Sequence, residues 1–389
     1  MPLAVYLLAL AVFAQGTSEF MLAGLVPDIA ADLGVSIPAA GSLTSGFALG
    51  MIVGAPLMAV LSLRWSRRAA LLAFLVTFLL AHVVGALTTS YPVLLGTRAV
   101  AALANAGFLA VALATATALV APGATGRATS VLLGGVTAAC VAGVPGGALL
   151  GQAWGWRSAF WAVAIACLPA VVAVLRSVPQ LRPSPARIGV GGELGALRER
   201  RLLLALVLGA LVNGATFCSF TYLAPLVTEV SGISEGLVPA VLALFGAGSF
   251  AGVTLGGRAA DSGRARPLLA GGGGALLVGW VVLAAVATVP AAVLVLVVVQ
   301  GMLSFAVGSS LIARALYAAT RAPNLGGAFA TAAFNVGAAT GPWLGGFAIE
   351  AGLGYRSPVW VSALLVLAAA AVGVATTAFS RPRRSAARS

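Results

Sequence analysis

Hydrophobic residues arrive along this chain in long blocks, not in alternation. Twelve blocks can be drawn, at 3–26, 40–61, 69–88, 92–119, 129–151, 158–176, 202–225, 237–257, 267–287, 291–313, 326–349 and 358–379. At a rise of about 1.5 Å per residue, a block of about 20 residues crosses a hydrocarbon layer about 30 Å thick. Period-two alternation is missing, which argues against a membrane β-barrel. The pattern predicts an all-α membrane protein with twelve transmembrane helices. Interior glycines and prolines do not weaken that reading, because membrane helices tolerate both.

Composition sharpens the class. Of 389 residues 61% are hydrophobic and 8% charged, whereas a soluble domain carries about 25% charged residues. The net charge of +13 does not point to nucleic acid, because the arginines sit in short loops between apolar blocks. Nineteen of the 22 basic residues fall in alternate loops and the tail, and the opposite loops hold only Arg157 and Arg356. The positive-inside rule then predicts both termini in the cytoplasm. The first block has no charged leader region, so it reads as a helix and not as a signal peptide. Cys140, Cys167 and Cys218 fall inside blocks without metal-ligand spacing, which predicts buried thiols and no metal.

The polar, Pro- and Gly-rich stretch at 177–201 divides the chain. It reads as a cytoplasmic linker between a six-helix half at 1–176 and another at 202–380, with a tail at 381–389. Landmarks recur in order between the halves. "GWRSAFW" at 155–161 answers "GYRSPVW" at 354–360, Pro27 answers Pro225, Pro92 answers Pro290 and Pro145 answers Pro342. Such a parallel duplication is the plan of two-half transporters with a site at their interface.

Two charges lie deep in the first half. Glu19 is about 10 Å and Arg98 about 9 Å below the same predicted face, counted at 1.5 Å per residue. An ionisable group there is costly and usually functional. Burial disfavours a charged carboxyl and a nearby cation favours it, so Glu19 could take a proton from one side and release it on the other. The alternative is a pair that merely pins helices. His82, the single histidine, reads as a hydrogen-bonded strut or a proton relay. Asn105, Asn213, Gln300 and Asn335 either line a cavity or bond across helices. Phe20, Phe217, Phe220 and Tyr222 are candidates for stacking on a ligand, or for packing. No cluster of acids, histidine and serine near one face supports a membrane enzyme, and no output domain supports a receptor.

These residues also carry a resemblance. "GGRAADSGRAR" at 256–266 is similar to the cytoplasmic loop motif of the major facilitator superfamily, and "RAVAALANAG" at 98–107 resembles the span-four segment of its drug:proton antiporters. "GVPGGALLG" at 143–151 resembles their span-five motif. "GTSEFMLAGLVPDIAADLGVS" at 16–36 is similar to the bacterial chloramphenicol-resistance and sugar-efflux exporters of that branch. The resemblance implies a proton-driven exporter in the bacterial inner membrane, alternating between two openings. It implies Glu19 as protonation site and Arg98 as its partner. Gly143, Pro145, Gly147 and Gly151 would form the antiporter motif, and Arg64, Arg67, Arg68, Arg258, Asp261 and Arg264 a cytoplasmic latch. The expected cargo is a small neutral amphipathic drug such as chloramphenicol, because the spans hold too few acids for a dication. A sugar, nucleoside or other metabolite is the alternative. No cofactor beyond the proton gradient and no macromolecular partner is expected, and the protein is expected to be a monomer.

Overall fold

Backbone in hydrocarbon must satisfy its own hydrogen bonds, and each apolar block is accordingly helical. The computed structural model describes residues 2–61, 65–121, 125–178, 195–261, 267–319 and 326–379. Within them the first half holds span one (Leu3–Phe20, with a 3₁₀ turn at Met21–Gly24), two (Ile37–Leu61), three (Arg67–Leu87) and four (Tyr91–Ala118). Span five runs from Thr125–Ala138 through a π turn at Ala139–Gly143 into Val144–Trp154, and span six is Arg157–Ser177. The second half holds seven (Arg200–Thr221), eight (Val238–Asp261), nine (Gly273–Ala285), ten (Pro290–Ala318), eleven (Gly326–Ala348) and twelve (Ser357–Phe379).

Span one ends short of the block limit at residue 26. The 3₁₀ turn ends the span, and Pro27 stands in the first turn of a separate short helix, Val26–Leu33. A missing N–H costs little there.

Among the described residues, eleven helices are long and apolar enough to span a bilayer by length and composition. Span eleven falls short because glycine, threonine and asparagine dilute its hydropathy. Its glycines serve packing instead. Gly337 and Gly341 lie directly against the backbone of span seven around Ala210 and Gly214, and small residues are what let membrane helices approach so closely.

Packing repeats between the halves. Span one packs on five and six as seven packs on eleven and twelve, two on four as eight on ten, and three on four and six as nine on ten and twelve. The glycine stripes repeat too. Gly46, Gly50 and Gly54 of span two abut Leu95, Ala99 and Leu103 of span four, and Gly248, Gly252 and Gly256 of span eight abut Val298, Met302 and Ala306 of span ten. The two "G-W/Y-R-S" landmarks open spans six and twelve, each after a glycine at positive φ, Gly155 at 79° and Gly354 at 71°. That backbone geometry favours glycine. The halves meet along span two against eleven and span five against eight.

Candidate functional site

Three consecutive residues of span one open onto three surroundings, as the 100° step of a helix requires. Ser18 is fully buried and turns to spans three and four, Glu19 is half-buried, and Phe20 turns to span seven.

Arg98, 1% exposed, is held by Ser18. Its Nη1 donates to Ser18 Oγ at 2.7 Å and its Nη2 to the Ser18 carbonyl at 2.7 Å. A guanidinium can only donate, so the Ser18 hydroxyl oxygen accepts from Arg98, and it is also hydrogen-bonded to His82 Nε2 at 2.6 Å. His82 Nδ1–H in turn donates to the Phe78 carbonyl at 2.8 Å. The Phe78 carbonyl can only accept, so His82 carries a hydrogen on Nδ1. The Phe47 ring lies under the guanidinium at 4.6 Å, within cation–π range. Arg98 Nε is buried without a partner.

Glu19 and Arg98 are within electrostatic reach of one another, and Glu19 also reaches Cys140 in the π turn of span five. Among the described residues, however, neither charge forms an ion pair. The guanidinium is tied to the residue beside Glu19, not to its carboxylate. One turn before Glu19, Gln15 is 1% exposed with both amide atoms unpartnered.

Phe20 begins an aromatic path across the interface of the halves. It stacks on Phe217 at 5.6 Å, Phe217 meets Phe220 edge-on at 6.5 Å, Phe220 stacks on Phe245 at 4.6 Å, and Phe245 meets Phe305 at 6.3 Å. Phe20, Cys140, Thr216, Phe217, Phe220, Phe245 and Phe305 enclose a cavity of about 10 Å³, room for about one water. Its walls carry no formal charge.

The other sequence candidates fall elsewhere. Tyr222 is 1% exposed and donates to the Pro342 carbonyl at 2.9 Å while wedged against Gly41 and Gly346, so it seals spans two, seven and eleven. Asn213 donates across to Phe334 O at 2.7 Å and Gln300 to Leu276 O at 3.3 Å, whereas Asn335 bonds Thr331 in its own helix. Asn105 sits 3.6 Å from the Met51 sulfur. Gly143, Gly147 and Gly151 form one stripe of span five against Thr17 of span one, Met21 of its 3₁₀ turn and Leu25 just beyond, with Pro145 just after the π turn. Arg67 and Arg68 are half-buried and Arg258 is exposed. Arg64, Arg264 and the side chain of Asp261 lie outside the described residues, so the latch cannot be drawn.

At the face opposite the chain ends the halves touch. Gln152 Nε2 donates to Glu235 O at 2.6 Å, and Gly24 packs on Leu242. On the same rim Arg157 pairs with Asp32 at 2.6 Å, donates to Thr88 O at 3.1 Å and lies over Trp156 at 4.4 Å. That pairing, first through its hydrogen bond, holds the Asp32 carboxyl below its ordinary range. Asp28, accessible but partly desolvated, is pushed up by burial and then by the Glu235 charge across the interface.

The family model described as Major Facilitator Superfamily matches residues 8–324 and 231–389. The chain belongs to the Major Facilitator Superfamily. Among its relatives in that superfamily, a protein named chloramphenicol resistance protein from Streptomyces lividans is 58% identical, covering 95% of each chain. The inner membrane transport protein YdhP of Escherichia coli K12 is 35% identical over 90% of this chain and 89% of its own. The fold matches the crystal structure of a bacterial homolog of the human lysosomal transporter Spinster, with a TM-score of 0.73 at 19% identity, over 99% of this chain and 98% of that one. Membership makes this facilitator a multi-pass membrane transporter and not an enzyme, and the duplicated fold accounts for the pairing of its glycine stripes.

Serine and phenylalanine are too common in membrane spans to have marked Ser18, Phe245 or Phe305 in the sequence. Glu19, Arg98 and His82 stood out there by their ionisable groups, and Phe20, Phe217 and Phe220 as stacking candidates.

Proposed function

We propose that this transporter exports a small neutral aromatic drug, with chloramphenicol as the first cargo to test, in exchange for protons. The arginine distribution supports cytoplasmic termini in a bacterial cell membrane and halves at 1–176 and 202–380, joined by the 177–201 linker. The touching rim is then the outer face, closed. The chain works as a monomer, with the span-two and span-eight loops as its inner latch.

One observation carries the coupling. Arg98 is parked on Ser18 and stacked on Phe47, while Glu19 stands beside it with no ion pair. A protonated Glu19 leaves the guanidinium on Ser18. A deprotonated Glu19 competes for it, because a buried carboxylate gains most from a nearby cation. Moving Arg98 moves span four against span one, which converts one proton event into a helix displacement. The cargo reading rests on the 58% identical relative and on the uncharged aromatic cavity beside Glu19.

The test is accumulation of labelled chloramphenicol in cells expressing the protein, with and without a protonophore, beside a well-expressed Glu19→Gln variant. Low accumulation that rises with the protonophore and in the variant supports both parts. Low accumulation surviving Glu19→Gln removes the carboxylate from the mechanism. No effect on chloramphenicol moves the cargo to a sugar, nucleoside or other metabolite.

A further inference from the structure

Gln15 lies deep in span one, outside the hydrogen-bond network of Ser18. Its side chain is 1% exposed, and neither its amide oxygen nor its amide nitrogen has a partner. Buried polar atoms are nearly always paired, because an unpaired one forfeits its hydration. Both orphans belong to one amide, so they call for one group that donates and accepts side by side.

The helix itself places this amide. Gln15 precedes Glu19 by four residues, so the two leave span one about 40° apart around the axis and about 6 Å apart along it. Ser18, three residues on, falls about 60° to the other side of Gln15. Gln15 therefore stands between the residue that holds Arg98 and the acid. Side chains four apart on a helix are neighbours that can hydrogen-bond.

Few groups fit. Away from the span ends, the charged and titratable groups on span one and its neighbours are Glu19, Arg98 on four, His82 on three, Cys140 on five, Cys167 on six and Cys218 on seven, and span two has none. His82 is taken up by Ser18 and the Phe78 carbonyl. Arg98 Nε is unpaired too, but it only donates and would leave the Gln15 nitrogen without an acceptor. A thiol donates and accepts weakly. A protonated carboxyl does both, through its O–H and its C=O.

We propose that Gln15 is the positioning residue of the proton site and pairs with Glu19 when Glu19 carries the transported proton. Proton uptake turns the carboxylate into a carboxyl with one O–H. That O–H donates to Gln15 Oε1, and the other carboxyl oxygen accepts from Gln15 Nε2, closing a ring of two hydrogen bonds. A carboxylate has no hydrogen to give, so it leaves Oε1 unpaired. Arg98 sits on Ser18 here, which leaves the amide free for the carboxyl. Both residues stand on one turn of one helix, so side-chain rotation makes and breaks the ring. This inference rests on the reading of Glu19 as the protonation site.

The test is infrared titration of the purified full-length protein in lipid nanodiscs, without drug. The carboxyl C=O band that Glu19→Gln removes belongs to Glu19, and its loss as pH rises gives the protonation midpoint. Gln15→Met keeps the side-chain length and removes both hydrogen bonds. Its midpoint should fall by about one pH unit, the scale of one or two lost hydrogen bonds, and its band should move to higher frequency. A merely structural Gln15 would change the melting temperature and not the midpoint. A midpoint that stays or rises overturns the pair and leaves Glu19 as the protonation site. If Gln15→Met does not fold, the wild-type band decides alone. The frequency of a doubly hydrogen-bonded carboxyl supports the ring, and that of a free carboxyl overturns it. No Glu19 band at any pH removes the proton-site reading and the pair with it.

Discussion

Ser18 does more for Arg98 than Glu19 does. Its hydroxyl and its carbonyl both accept from the guanidinium, and its hydroxyl is also hydrogen-bonded to His82. Hydrogen bonds to a charged group are worth about 1.5–3 kcal/mol each when buried. Ser18→Ala should therefore release part of the hold on Arg98 and let the guanidinium lean on the Glu19 carboxylate. A cation nearer the carboxylate favours its charged form, so the pH profile of transport should move toward acid, measured as initial export rate against external pH. An unchanged profile would mean the hydroxyl is only packing. Arg98→Lys should lose most transport, since an ammonium cannot present two parallel donors to Oγ and the carbonyl. Expression-matched export rates check it, and wild-type rates would remove the fork geometry from the account. Charge made Glu19, Arg98 and His82 visible in the sequence. Their connection was not visible, because it runs through a serine that looks like any other.

The helices depend on glycines that face neighbouring backbone. Gly252 lies against the Met302 carbonyl of span ten, whereas Gly257, five residues on, has nothing near the position a Cβ would take. Overpacking costs about 1–3 kcal/mol, so Gly252→Val should lower the unfolding temperature in detergent and Gly257→Ala should not. Equal melting of both would contradict the close span-eight to span-ten contact. Most helices could be read from hydropathy because their outer faces are apolar as well as exposed, as at Leu80, Ile165 and Leu364. Span eleven was read from its 326–349 block despite a composition suited to span seven instead of lipid. The ends were harder to place. The first block ran to residue 26, but the chain had already turned at Met21–Gly24.

At the scale of the molecule, two carboxyls on the rim should respond to acid in opposite ways. Asp28 is raised by burial and by Glu235 on the other half, so its protonation removes a like-charge repulsion across the rim. Mild external acid should therefore favour closure, read as the distance between spin labels on the two halves, and Asp28→Asn should stay closed at neutral pH. A distance that ignores both changes would separate Asp28 from the gate. Asp32 behaves in reverse. Arg157 holds it below the ordinary value of about 3.9, so its clamp is complete above that pH and is lost as pH falls through the lowered value. The duplicated plan was legible in the recurring landmarks, because Pro92 and Pro290 open spans four and ten and Gly155 and Gly354 turn the chain into spans six and twelve. The contact of span two with eleven and of span five with eight was not legible, since glycine stripes do not name their partners.

The most direct test of proton coupling is uptake into proteoliposomes. An imposed pH gradient should drive labelled chloramphenicol uphill through the wild type. Glu19→Gln should still exchange labelled for unlabelled drug but lose uphill movement. Uphill transport that persists in Glu19→Gln would contradict the account, because the proton would then travel by another group.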